Sequence, residues 1–308
     1  MTTQLEREHR KLVTDPLDAI SQQTGDSPYQ VFSDWIDLAL ASFSGDEDAY
    51  QKPLARYAND GRDEDTVREL ATQHANALGG LVLAMEQTNE DVLGGVYEHY
   101  GLTSSHFAQY FTPGAVSRAM AAMNLPDGED LRDATPEDPL VIGDVSGCGS
   151  GRLIVDTANH LREIAPEAPA VFLGYDKDPI CAKMAVLNFV LNDLTGYVLL
   201  GDALKLEAHR VWFVSVAQLA RGDHPVKALD AEGRDRVLAR FFGVPPHDGA
   251  TKPSVDDDAV DDVDDEADAE HGERVTEPPT AHTTGVESAL DVALDGENTA
   301  QVGFDEFA

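Results

Sequence analysis

Apolar positions recur at helical spacing from Tyr29 onward and change to short unbroken runs after residue 138. Residues 1–28 read as a polar, frayed N-terminus. Phe32, Trp35, Ile36, Ala39, Leu40 and Phe43 fall on one helix face. A second helix is predicted over 63–85, with Val67, Leu70, Ala71, His74, Leu78, Leu81 and Val82 inward. His74 has no partner motif nearby and reads as a core or boundary histidine. Thr88 is placed as the N-cap of a third helix, with Asp91 in its first turn and Gly101 at its end. Residues 29–105 thus form a helical domain. Thr112 as cap and Pro113 as first residue open a further helix carrying Val116, Met120 and Met123.

The runs 139–143, 170–175 and 197–200 are too short and too apolar for exposed helices and read as buried strands. Helices lie between them, over 151–164 and from Pro179, capped by Asp178. Strand, helix, strand, helix, strand is a parallel, doubly wound unit. A fourth strand is placed at 210–216 and a basic helix over 230–242. The α/β domain spans 106–247, and from Asp248 the chain reads as a disordered tail.

Charge complicates the search for a partner. The 308 residues carry a net charge of −35, with 57 acidic against 22 basic residues and only 7 lysines. The tail from Asp248 accounts for −17 of this. Such acidity ordinarily argues against phosphate contacts. An acidic, lysine-poor surface is also the usual look of proteins from extreme halophiles, where molar salt cuts the Debye length to about 3 Å. On that reading the net charge says little about partners, and a local basic patch could still meet DNA. Two cysteines make no disulfide or metal pattern, so no metal site is expected. With no apolar run of membrane-spanning length, the chain is read as soluble and cytoplasmic.

The candidate chemistry sits between the first strand and its helix. The segment 144–151 reads Asp-Val-Ser-Gly-Cys-Gly-Ser-Gly, with Asp144, Gly147, Gly149, Ser150 and Gly151 as candidate ligand contacts. Glycines allow a tight turn and a close ligand approach. A dinucleotide loop of G-x-G-x-x-G type remains an alternative, as does a turn with no ligand. The third glycine comes one position early for that pattern, and a strand-end acid suits a cationic amino-acid moiety better than a pyrophosphate. Both points favour S-adenosylmethionine (SAM). Asp176 ends the second strand, where an acid can accept ribose hydroxyls, and Asp202 ends the third, where it could meet an adenine amino group.

These residues bring out a resemblance. From about Asp91 to Leu204 the chain resembles the modification subunits of type I restriction-modification systems, which are N6-adenine DNA methyltransferases. Residues 91–98 look like that family's helix before the cofactor domain. Residues 107–113, with Phe111, Thr112 and Pro113, look like its Phe-Thr-Pro motif against the methionine end of SAM. Residues 144–153 look like its Asp-Pro-x-x-Gly-Ser-Gly loop, with Val145 in place of proline, and 174–176 and 201–202 like its ribose and adenine motifs. The implied fold is α/β: a helical N-terminal domain, then a partial Rossmann-like SAM-dependent methyltransferase domain and a disordered acidic C-terminal tail. The implied partner is DNA.

One departure weighs against full activity. The family's Asn/Asp-Pro-Pro-Tyr/Phe motif would follow the fourth strand, yet the chain there reads Ala217-Gln218-Leu219. The Pro-Pro pair at 245–246 follows Val244, which has no acceptor for an amino group. No catalytic residue is therefore assigned. Three readings stay open: an adenine DNA methyltransferase, a SAM-binding subunit completed by a partner, and a methyltransferase acting on something other than DNA. The ending, with Gln301, Phe304 and Phe307, weakly resembles a sliding-clamp-binding box.

Overall fold

The computed structural model describes residues 4–88, 91–102, 111–125 and 130–245. Phe107 to Tyr110, Pro246, the tail from Asp248 and Gln301, Phe304 and Phe307, all read from the sequence above, lie outside these residues. By its contacts the described chain divides after Arg234, with a second unit beginning at Asp235. The site lies wholly in the first.

Helix α1 (Gln4–Thr24) occupies the segment expected to fray. Its Val13, Leu17 and Ile20 are spaced 4 and 3 apart, so one face is apolar, and all three are buried. Each such side chain contributes about 1.5–3 kcal/mol on burial, enough to dock a helix whose other positions are polar. The partner is α4 (Glu64–Thr88), and the approach is close. A Cβ on Gly80 would stand 2.1 Å from the Leu12 carbonyl oxygen.

Helix α2 (Pro28–Ser44) buries Phe32, Trp35, Ile36 and Ala39 as its periodicity predicts. Helix α3 (Glu47–Asn59), N-capped by Asp46, is an element the apolar pattern does not announce, since its inward side chains are few: Pro53 and Tyr57 are buried and Leu54 partly so. In α4, Leu70, His74 and Leu81 are buried, whereas Val82 faces out at 36 % exposure. The cap of α5 (Val92–His99) is Asp91, whose carboxylate accepts from the Gly94 amide. Thr88 remains inside α4, its hydroxyl bonded to the Ala84 carbonyl.

Helix α6 (Gly114–Asn124) starts one residue later than expected, with Pro113 itself at the cap position. Its packed face is the small one, Ser117 and Ala121. Val116, Met120 and Met123 turn outward. Small side chains let α6 lie close on α7 (Arg152–Ile164).

Strands β1 (Leu140–Asp144), β2 (Ala170–Asp176) and β3 (Gly196–Asp202) pair in parallel, joined through α7 and α8 (Pro179–Leu191). Most of α8 is buried, because the sheet lies on one side and α2 packs on another. The fourth strand departs from expectation. β4 spans Glu207–Val214 and runs antiparallel to β3, and β5 (Val226–Ala228) is antiparallel to β4. The connection from β3 to β4 is only 203–206. That is long enough for a hairpin and far too short for the crossover a parallel neighbour requires. The sheet is therefore mixed, in the order β1-β2-β3-β4-β5. Among the described residues β1 is an edge strand, with Val141 at 48 % exposure. Helix α9 (Ala231–Phe242) closes the described chain. No helix among the described residues is long and apolar enough to cross a membrane.

Candidate cofactor site

Loop 145–151 links β1 to α7 over the C-terminal end of the parallel strands. Gly147, Gly149 and Gly151 have φ of 120°, 57° and 85°, a region where L side chains are strained. Backbone bonds pin the loop to β2. The Cys148 amide donates to the Tyr175 carbonyl, and the Gly151 amide turns back to the Cys148 carbonyl. The Gly149 amide donates to Asp176 Oδ2 at 2.8 Å.

Three predicted acids, Asp144, Asp176 and Asp202, end three successive strands, the edge of an open α/β sheet where ligands bind. Asp144 is half-buried and Asp176 buried, and burial pushes both carboxyls above the usual range. Backbone N–H groups oppose that rise only in part: Ser146 at Asp144, and Asp178 and Gly149 at Asp176. Among the described residues no side-chain cation pairs with either acid. Buried carboxylates lacking a counter-ion are costly, so the pair fits a cationic ligand. Asp202 differs. It caps the hairpin turn, accepting from the Leu204 and Lys205 amides, with Lys205 Nζ 3.8 Å away.

The other predicted residues converge on the loop. The Phe111 ring lies against Gly149 and 5.5 Å from the Tyr97 ring, which is 5.6 Å from Phe32. An aromatic column thus joins the helical core to the loop. The Thr112 carbonyl accepts from Arg152 Nη1 at 3.0 Å. Pro113 begins α6 and makes no capping bond. The Ser150 hydroxyl points away from the strand ends and donates to Asp91 Oδ2.

Arg152, Asp91 and Asn188 were not singled out by the sequence as site residues. The guanidinium of Arg152 reaches Asp91, Glu98 and the Thr112 carbonyl together. One signal was available. Arg152 is the first residue of α7, the end of a helix that disfavours a cation, so a specific acid partner was to be sought.

Residues 88–219 match the N-6 DNA methylase family. The matched stretch holds α5, the Phe111–Pro113 segment, the glycine loop and all three strand-end acids. The match likens this part of the chain to N-6 DNA methylases and implies SAM as its cofactor, in keeping with Asp144 and Asp176, which meet no side-chain cation among the described residues. No curated protein matches the chain. A solved Listeria monocytogenes structure, described as a class I SAM-dependent methyltransferase, shares 13 % identity with a TM-score of 0.41. That likeness covers 65 % of this chain and 54 % of the other, so this chain spans about half of that relative's length. The fold of the methylase domain rests on the strand order above rather than on this likeness.

Proposed function

We propose that the methylase domain holds SAM over the 144–151 loop and methylates adenine N6 in DNA, as part of a restriction-modification type of system. The supporting observation is the coincidence of the family match with a loop of three positive-φ glycines beside half-buried Asp144 and buried Asp176, which meet no side-chain cation among the described residues. Bound SAM supplies an electrophilic methyl group on a sulfonium. Asp144 would accept from the ammonium of its methionine moiety, and Asp176 retains lone pairs for ribose hydroxyls. Gly147 lets the ligand approach the backbone, Gly149 makes room for the Phe111 ring, and Phe111 and Thr112 wall the site toward α5. Asp202 is the adenine candidate, its carboxylate shared with the turn it caps. The target adenine would have to leave the duplex stack to reach the strand ends, and alignment of N6 would provide most of the acceleration.

A second reading has its own support. The fourth strand is followed by Ala217-Gln218-Leu219 and not by an Asn-Pro-Pro-Tyr/Phe tetrapeptide. The sheet continues past β3 by an antiparallel hairpin, and among the described residues β1 is left as an edge strand. In a doubly wound sheet the second half adds strands on that side, beside the ligand crevice. The domain would then be a SAM-binding subunit completed by a partner. A methyl-transfer assay on adenine-containing duplex DNA, in molar KCl, separates the two. N6-methyladenine formed by the purified chain supports the first reading. Its formation only with a host subunit added supports the second. Transfer to protein or small molecules, and none to DNA under either condition, overturns both.

A further inference from the structure

A densely bonded polar cluster lies behind the glycine loop, away from the strand-end acids. Asp91 is buried between α5, α7 and α8. Its Oδ1 accepts from the Gly94 amide and from Asn188 Nδ2, each at 2.8 Å. Its Oδ2 accepts from the Ser150 hydroxyl and from Arg152 Nε, the latter at 3.2 Å. Asn188 Nδ2 also donates to the Ser150 carbonyl at 2.7 Å. Arg152 has its other nitrogens on the Thr112 carbonyl at 3.0 Å and Glu98 Oε2 at 3.2 Å. Its guanidinium lies 5.8 Å from the centre of the Phe111 ring. Gly94 leaves the room, since a Cβ there would fall 2.2 Å from Asp91 Oδ2 and 2.6 Å from Ser150 Oγ.

We propose that Asp91 and Arg152 are a positioning pair. They lock the glycine loop and the Phe111–Pro113 segment to α5 in one fixed relation, so that cofactor affinity depends on the helical part of the chain. Their bonds go to Ser150 and Thr112 rather than to Asp144, Asp176 or Asp202, and their action runs through those two residues. A planar guanidinium is needed because three acceptors must be met at once, which the point charge of lysine cannot do. The link to the cofactor rests on the SAM reading above, while the link to loop shape does not.

The test combines hydrogen exchange with SAM titration in wild type, Arg152→Gln, Arg152→Lys and Asp91→Asn, and in the double variant. In the SAM-free protein, the amides of Cys148, Gly149 and Gly151 should exchange at least about tenfold faster in Arg152→Gln. Amides of β2 and β3 should keep their wild-type rates. SAM should bind at least about tenfold more weakly to each single variant, and the double variant should be no weaker than the worse single one. Arg152→Lys keeps the charge and so should fold, with the same local loosening. Loop exchange and affinity within twofold of wild type would overturn the pair. So would an acceleration spread evenly over the unit with additive losses, since that is the mark of a merely structural role. Failure of wild type to bind SAM would sink the cofactor reading, and loop exchange would still decide the pair.

Discussion

A methyl group at Gly149 would stand 2.5 Å from Cε1 of Phe111. The ring and the loop therefore fix each other. Gly149→Ala adds that clash to a φ of 57°, which costs an L residue about 1–2 kcal/mol. We expect the melting temperature to fall by about 2–6 °C and SAM affinity to fall at least about tenfold. Thermal melts and titration of Gly149→Ala with and without Phe111→Ala check this. The second substitution removes the clash and should return part of the loss.

Asp144 trades stability for binding. Burial holds its folded carboxyl above the ordinary 3.8, so the native state binds the proton more tightly than the unfolded chain. The sign follows: the penalty is absent well below pH 3.8 and is fully felt once pH exceeds the folded value. Asp144→Asn should therefore melt at the same temperature as wild type or a few degrees higher at pH 7 without SAM. The advantage should vanish near pH 3, while SAM affinity at pH 7 drops. A lower melting temperature at pH 7 would contradict the assignment.

His74 gives a separate pH signature in the helical core. Tyr57 donates its one proton to Asp34 Oδ2 at 3.1 Å, so its contact of 3.0 Å with His74 Nε2 requires the histidine to donate. That leaves His74 Nδ1 bare and buried without a partner. Burial, with Arg56 nearby, pushes the imidazole down to about 4. The unfolded chain takes up the proton first, so stability present above about pH 6.5 is lost as pH falls toward 4, by about 2–3 kcal/mol. Denaturant unfolding from pH 7.5 to 4.5 should show this slope. His74→Gln should flatten it.

The acidic composition predicts a salt response. Net −35 repels itself over a Debye length of about 10 Å at 0.1 M salt and only about 3 Å at 1 M. Melting temperature should climb from 0.1 to 2 M KCl, and an unchanged or falling value would contradict a salt-adapted surface.

Periodicity made α2, α4 and the three parallel strands readable, because burial on one face or on both leaves a direct imprint on residue order. Helix α1 was missed because Val13, Leu17 and Ile20 are diluted among charged neighbours. Helix α3 was missed because its stability comes from its Asp46 cap and from Tyr57 rather than from an apolar stripe. The outward turn of Met123 reflects close packing of Ser117 and Ala121, which hydrophobicity does not encode. β4 was found as a strand, but its direction depended on the length of loop 203–206. The positive-φ glycines of the loop and the acids at the strand ends were legible as positions, because backbone strain and strand ends constrain residue type. Asp91 and Arg152 were not, since residues 61 positions apart become partners only when α5 docks beside α7.

The central claim is a SAM pocket at the 144–151 loop. Calorimetric titration of the purified chain with SAM in molar KCl tests it most directly. Saturable binding at one site per chain is expected, weakened at least about tenfold by Asp144→Ala. No binding by wild type, or equal affinity in Asp144→Ala, would contradict it.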